Sequence, residues 1–187
     1  MEVQKLELVV GDIKGNREIA YALLVAEQPY FVNQNVIEEE GKLTIESLLT
    51  DEYYSWDKLI TMIDEEKLRH LINIGQLFHA LQDSIYTYNL SPNNLVFSRN
   101  GNPLFVFRGV KGQVPPYDVV SLDEFTVNFK AMIVSLLDKK TSYEKLIEGQ
   151  SPFYKGKLFC ETIMKAENLD EIISLLEEKY LEEREQN

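Results

Sequence analysis

Short apolar runs separated by turn residues occupy the first third of the chain. These runs lie at residues 5–10, 19–25, 29–32 and 42–46. The last run alternates apolar and polar positions, which is typical of a half-buried strand, and Gly11, Gly15 and Gly41 supply turns between runs. The pattern predicts that all four runs are strands, in a small antiparallel β-rich lobe over residues 1–57.

From residue 55 onward, apolar residues recur at helical spacings of three and four. A short helix is predicted over residues 55–62, followed by a long helix with Asp64 as its N-cap. The apolar stripe of the long helix consists of Leu68, Leu71, Ile72, Phe78, Leu81 and Ile85. Capping boxes at Ser121 and Thr141, and an N-cap at Asn168, predict three later helices. Residues 58–187 therefore form a mainly helical lobe.

A β-hairpin is predicted in the middle of this helical lobe, near residues 94–107. The polar turn at residues 91–94 ends the long helical pattern, and two apolar runs follow at residues 95–97 and 103–107. Asn100 and Gly101 separate these runs, and Asn-Gly is the strongest short-range hairpin signal. Two prolines and nearby glycines then predict a loop without regular structure over residues 110–117.

Composition narrows the classes of function. Hydrophobic residues make up 44% of the chain and the formal net charge is −12. That charge repels phosphate backbones, so we expect no nucleic-acid partner. The chain has no run of about eighteen apolar residues, and its first residues are not those of a signal peptide.

Candidate metal ligands and nucleophiles have simpler interpretations. The acidic run at residues 38–40 is expected to be a solvated loop, because three adjacent carboxylates of an extended chain cannot all face one ion. His70 and His79 are nine positions apart, which is not the spacing of a helical zinc pair. Cys160 is the single cysteine and is expected to be a small buried residue. We expect no metal and no cofactor.

The helix, turn and hairpin around Asn94 resemble the catalytic and metal-binding loops of protein kinases. In that alignment Asn94 falls on the magnesium-binding Asn, whereas Asn89 stands where the catalytic Asp belongs. Phe107 and Gly109 fall on the first and last positions of D-F-G. An amide is no proton acceptor near neutral pH, and neither Phe107 nor Arg108 is a magnesium ligand. Asn89, Asn94, Phe107 and Gly109 are thus degenerate kinase positions, with an ordinary polar turn as the alternative.

Two further kinase elements are missing from the first lobe. The chain contains no G-x-G-x-x-G loop to cover phosphates and no V-A-I-K strand. The run at residues 19–25 continues into Ala26-Glu27-Gln28 without a lysine. The sequence therefore predicts a kinase-like scaffold without phosphotransfer.

Nearly the whole chain is similar to the cytoplasmic domain of the EssB/YukC family of type VII secretion systems in Gram-positive bacteria. The segments that carry this resemblance, in family order, are residues 29–31, 66–74, 94–103, 108–110, 129–131, 146–149 and 155–156. The resemblance implies an α+β, protein-kinase-like (pseudokinase) fold of two lobes. It also implies one transmembrane helix beyond this chain and a location on the cytoplasmic side of the cell membrane.

The function implied by the resemblance is structural. The chain is expected to be a non-catalytic domain of a membrane-anchored secretion component that contacts other type VII secretion components. A homodimer is left open. The alternatives are a nucleotide-sensing pseudokinase module and an atypical kinase.

Overall fold

The computed structural model describes residues 1–138, 142–149 and 158–186. Contacts group the chain into two units. The first comprises Met1–Tyr54, Ala80–Asn89 and Asn94–Val120. The second comprises Ser55–His79, Leu90–Asn93 and the described part of Ser121–Asn187. The division into lobes at residue 57 stays a prediction about domain organisation.

The first unit contains a three-stranded antiparallel sheet. Its strands are β1 (Glu2–Val9), β2 (Gln34–Glu39) and β3 (Lys42–Leu49), in the order β1-β3-β2. Alternation along β3 places Leu43 and Ile45 on the buried face, as the sequence predicts. The acidic run is not a loop throughout: Glu38 and Glu39 end β2, and Glu38 accepts a hydrogen bond from Arg17 at 2.6 Å.

The predicted strand over residues 19–25 is wrong, because the segment is a helix, α1 (Arg17–Val25). The side chain of Asn16 caps this helix by accepting from the Ile19 N–H at 3.1 Å. Ala20 and Leu24, four positions apart, are fully buried on one helical face. A short 3₁₀ turn, Val10–Asp12, precedes the helix.

The predicted hairpin is confirmed. Strands β6 (Leu95–Phe97) and β7 (Pro103–Phe105) pair antiparallel. Gly101 in the connecting turn has a φ of 84°, a left-handed conformation that favours glycine. Strand β4 (Tyr54–Ser55) joins them in the order β4-β6-β7. The predicted strand over residues 29–32 is wrong, since Phe31 makes only an isolated bridge to Phe105. Residues 110–117 are more regular than predicted, because β8 (Gly109–Val110) pairs with β5 (Tyr86–Thr87).

The second unit is helical. It begins with α2 (Trp56–Ile60), α3 (Asp64–Gly75) and α4 (Leu77–Ala80). The prediction of a single long helix from Asp64 is wrong, because α3 ends at Gly75 and glycine is a poor helix former. A Cβ at Gly75 would lie 3.1 Å from atoms of Ile173 and Phe129, so the glycine permits close helix packing. The N-cap is Ile63, which makes Asp64 the first helical residue.

Four further helices of the second unit lie in its described residues. They are α5 (Leu122–Asp138), α6 (Tyr143–Ile147), α7 (Leu158–Lys165) and α8 (Leu169–Gln186). The predicted caps at Ser121 and Asn168 are confirmed by hydrogen bonds from Glu124 N–H at 3.1 Å and Glu171 N–H at 2.8 Å. Thr141 lies outside the described residues, and Ser142 caps α6. Helices α3, α6 and α7 contact α5, whose buried side chains form much of the core, and α3 also packs against α8.

Candidate functional site

The side chain of Asn94 ties the turn before β6 to the residue after the hairpin. Its Oδ1 atom accepts from the Phe107 N–H at 2.9 Å. Its Nδ2 group donates to the Asn89 carbonyl at 2.9 Å and to the Phe107 carbonyl at 3.2 Å. The backbone carbonyl of Asn94 also accepts from the Val106 N–H at 3.0 Å. The amide oxygen that would ligate a cation is thus engaged by a backbone donor.

The other aligned positions also have structural contacts. The backbone carbonyl of Asn89 accepts the hydrogen bond from Asn94, and Asn89 is an exposed residue. Phe107 is half-buried and packs against a cluster of Val32, Leu49 and neighbouring apolar residues. Phe107 therefore supplies apolar contact area, and its ring has no oxygen atom that could bind a cation.

Arg108 is the largest fully buried side chain of the described residues, with 1% of its surface exposed. Its Nη2 group donates to the carbonyls of Leu24 and Ala26, both at 2.6 Å, and of Leu23 at 3.2 Å. These carbonyls belong to the C-terminal end of α1, where backbone acceptors lack helical partners and the dipole favours a cation. Arg108 therefore caps α1 from a distant part of the sequence.

Two aromatic rings complete the surroundings of the Arg108 guanidinium. Its central carbon lies 4.6 Å from the ring centroid of Tyr86 and 5.3 Å from that of Phe31, within the range of cation–π contacts. The Nε and Nη1 atoms are buried without a hydrogen-bond acceptor among the described residues. Burial lowers the pKa of Arg108 because the charged form loses solvation.

Gly109 is required by a close backbone approach. A Cβ atom at this position would come within 2.6 Å of the carbonyl oxygens of Val114 and Pro115. Thr87, which pairs with Gly109 across β5 and β8, donates its hydroxyl to the Pro116 carbonyl. The glycine thus allows the segment after the hairpin to fold back on β5.

The second unit has its own buried polar groups. Burial lowers the pKa of His70, whose Nδ1 atom lies 2.6 Å from the Glu66 carbonyl. Burial also raises the pKa of Tyr143 to about 12, and its hydroxyl donates to the Leu90 carbonyl at 2.9 Å. Cys160 is 1% exposed, which confirms the sequence-based interpretation. Residues 1–138, 142–149 and 158–186 contain no metal-like group of three or more His, Cys, Asp or Glu.

The structure brings Asn94, Phe107 and the Asn89 carbonyl together, with Gly109 on the neighbouring strand. The role of Arg108 was missed from sequence, where it was considered only as a poor magnesium ligand. The signal was present: an arginine inside an apolar run, at residues 103–110, needs buried acceptors.

The fold resembles that of two solved cytoplasmic fragments of the protein EssB. The structure matches the Staphylococcus aureus EssB cytoplasmic fragment with a TM-score of 0.85 and 30% identity, over 94% of this chain and 99% of that one. The Geobacillus thermodenitrificans EssB cytoplasmic fragment matches with a TM-score of 0.83, over 97% of this chain and 86% of that one. The identity to the second fragment is 16%, so that likeness shows the fold alone.

The chain belongs to the YukC family, described as the WXG100 protein secretion system (Wss), protein YukC, whose family model matches residues 9–187. It is also 31% identical over 174 residues to the type VII secretion system protein EssB of Staphylococcus aureus (strain USA300). That match covers 93% of this chain and 39% of the relative. These matches confirm the family resemblance seen in the sequence and a mixed α/β fold with antiparallel sheets.

Proposed function

We propose that this chain is the non-catalytic cytoplasmic part of a membrane-anchored structural component of a type VII secretion machine. It acts by binding other secretion components. Membership of the YukC family and the likeness to the Staphylococcus aureus cytoplasmic fragment support this proposal. The machine and the compartment are carried over from these relatives.

The domain is proposed to be a two-lobed pseudokinase. The observation that carries this assignment is the hydrogen bonding of Asn94, whose amide oxygen is engaged by the Phe107 N–H. In an active kinase the corresponding amide would bind magnesium, and a carboxylate would stand at the position of Phe107. Here the two positions bind each other and join a turn to a hairpin, so the geometry serves stability.

Anchoring is proposed to come from a segment beyond this chain. No helix among the described residues is both long and apolar enough to cross a membrane. The chain spans 39% of the length of the Staphylococcus aureus relative, which leaves room there for further segments. The full-length protein is proposed to cross the membrane once.

A nucleotide-binding assay separates the proposal from a nucleotide-sensing module or an atypical kinase. Thermal melting of the protein with millimolar ATP and magnesium should give the same midpoint as melting without nucleotide. A ligand at a hundred times its dissociation constant stabilises a protein by about 2.7 kcal/mol, which a melting curve detects readily. A magnesium-dependent rise in the midpoint would support the nucleotide-sensing alternative and contradict the proposal.

A secretion assay tests the non-catalytic role in the cell. Asn89→Ala in the full-length protein should leave secretion of the type VII substrate unchanged, because the Asn89 side chain lies on an exposed residue. Deletion of the region corresponding to this chain should abolish secretion and the recovery of partner components from detergent-solubilised membranes. Loss of secretion in Asn89→Ala with a normal amount of folded protein would argue for a chemical role.

A further inference from the structure

The outer edge of β1 is an open pairing surface. The sheet order places β1 outside β3, and no strand in the described part of the chain pairs with its other edge. Its register with β3 is continuous over eight residues, without a bulge or a proline. Proteins protect edge strands by shortening, bulging, covering or charging them. Because β1 is long and regular, the charges of Lys5 and Glu7 are its main protection against unspecific pairing.

The backbone groups that face outward can be identified from the ladder. Val10 N–H donates to the Gly41 carbonyl directly opposite at 2.9 Å, so this is a hydrogen-bonded pair. Such pairs alternate along an antiparallel ladder, which assigns the even-numbered residues of β1 to bonds with β3. The residues whose N–H and C=O groups point away from the sheet are therefore Val3, Lys5, Glu7 and Val9.

The charges along this edge are self-complementary in one antiparallel register. With Leu6 on a two-fold axis, Lys5 of one copy lies opposite Glu7 of the other, and Val3 lies opposite Val9. A shift by two residues in either direction would oppose Lys5 to Lys5 or Glu7 to Glu7. Like charges directly opposite each other are unfavourable, so the charges select the first register.

We propose that β1 pairs with β1 of a second copy of this chain, in the register centred on Leu6, to form a continuous six-stranded sheet. Val3 and Val9 are 41% and 61% exposed in the single chain. In the dimer, Val3 of each copy packs against Val9 of the other. Lys5, 3.6 Å from Glu46 in its own chain, lies between that carboxylate and Glu7 of the second copy. The contact involves one strand from each copy, so the dimer is weak and concentration-dependent.

Charge reversal tests the register. The two-fold axis creates two pairs between positions 5 and 7. In Lys5→Glu both pairs are Glu–Glu, and in Glu7→Lys both are Lys–Lys, so each variant should dimerise about tenfold more weakly than the wild type. An equimolar mixture restores both attractive pairs, so the two variants should form a heterodimer as strong as the wild-type dimer. The double variant Lys5→Glu with Glu7→Lys should recover self-association. Sedimentation equilibrium from micromolar to millimolar protein measures all four cases.

Cysteine cross-linking tests the two-fold axis. Leu6 faces Leu6 at a non-hydrogen-bonded position, where the Cα separation of about 4.5 Å permits a disulfide. Leu6→Cys should therefore form a covalent dimer under mild oxidation. The matched control is Val9→Cys, whose two copies would lie about 20 Å apart along the strands and should not cross-link. Cys160 is buried and does not compete.

Three outcomes would overturn the proposal. The first is a wild-type protein that stays monomeric to millimolar concentration, which would leave the edge to an extended segment of another protein. The second is a mixture of Lys5→Glu and Glu7→Lys that associates no better than either variant alone. The third is cross-linking of Val9→Cys as efficient as that of Leu6→Cys. Unchanged melting midpoints of the variants exclude misfolding as the cause.

Discussion

Replacing Arg108 by methionine tests whether the buried guanidinium stabilises the fold. Methionine keeps most of the side-chain length but removes the charge and the Nη2 donors to Leu24 and Ala26. The carbonyls at the end of α1 then lose their partners, and of these hydrogen bonds the one to Leu24 is buried and the one to Ala26 is part-buried. The lost charge and the lost hydrogen bonds both affect the C-terminal end of α1.

The expected magnitude follows from two opposing contributions. Each buried carbonyl left without a donor costs about 1–3 kcal/mol, and a cation at a helix C-terminus stabilises it by up to about 2 kcal/mol. Removing a buried charge returns several kcal/mol of desolvation, which offsets part of this loss. We expect Arg108→Met to lower the free energy of unfolding by about 2–3 kcal/mol. Arg108→Ala should lower it by about 4–5 kcal/mol, because it also leaves a cavity.

Urea denaturation at pH 7 measures these free energies, and hydrogen exchange of the α1 amides locates the effect. The matched control is Arg99→Met, whose arginine is 79% exposed and forms a surface ion pair with Glu52 at 3.4 Å. Exposed pairs contribute little, so this control should change the free energy by less than about 1 kcal/mol. An Arg108→Met variant as stable as the wild type would show that the buried charge is a net cost and refute the reasoning.

Three further predictions concern single side chains. Asn94→Ala should lower the free energy of unfolding by about 1–3 kcal/mol through its lost backbone bonds, whereas exposed Asn93→Ala should not change the urea midpoint. Gly109→Ala should cost about 3 kcal/mol, because the new methyl group meets backbone carbonyls; thermal melting without a lowered midpoint would contradict this. Burial lowers the pKa of His70 in the folded protein, so as the pH falls the unfolded chain binds a proton at this residue before the folded chain does. Stability should be full above about pH 6.5 and fall below it, and urea titrations of His70→Gln should show a flatter decline.

The hairpin and the caps at Ser121 and Asn168 could be predicted because their signals are local. The turn that holds Asn100 and Gly101 is closed locally, because the Gly101 N–H donates to the Ser98 carbonyl at 2.8 Å and the Ser98 N–H to the Asn102 carbonyl at 2.9 Å. Ser121 and Asn168 likewise need only the N–H groups of the next helical turn. The error at α1 has a local cause as well. An apolar run of seven residues carries no clear periodicity, and the cap at Asn16 was overlooked.

The kinase-like alignment identified residues that lie together, but the amide chemistry of Asn94 could not be read from its position. The same residue type can bind a cation, a backbone group or water, and only the strand after the hairpin brings the Phe107 N–H to its oxygen. The end of α3 at Gly75, where the sequence pattern predicted one continuous helix, also depends on residues distant in the sequence. Gly75 lies on the apolar stripe, and packing against Ile173 uses the space that a side chain would fill.

The sequence by itself determined the hairpin turn, the caps at Ser121 and Asn168, the alternation of β3 and the family to which the chain belongs. Only the tertiary structure decided the role of Arg108, because its acceptors lie more than eighty positions away at the end of α1. It also decided that β1 is an outer strand, one edge of which pairs with no other strand in the part of the chain that the structure describes. The physical reason is the same in both cases: a backbone group that is left without a partner by its own segment must find one elsewhere in the chain or on another molecule.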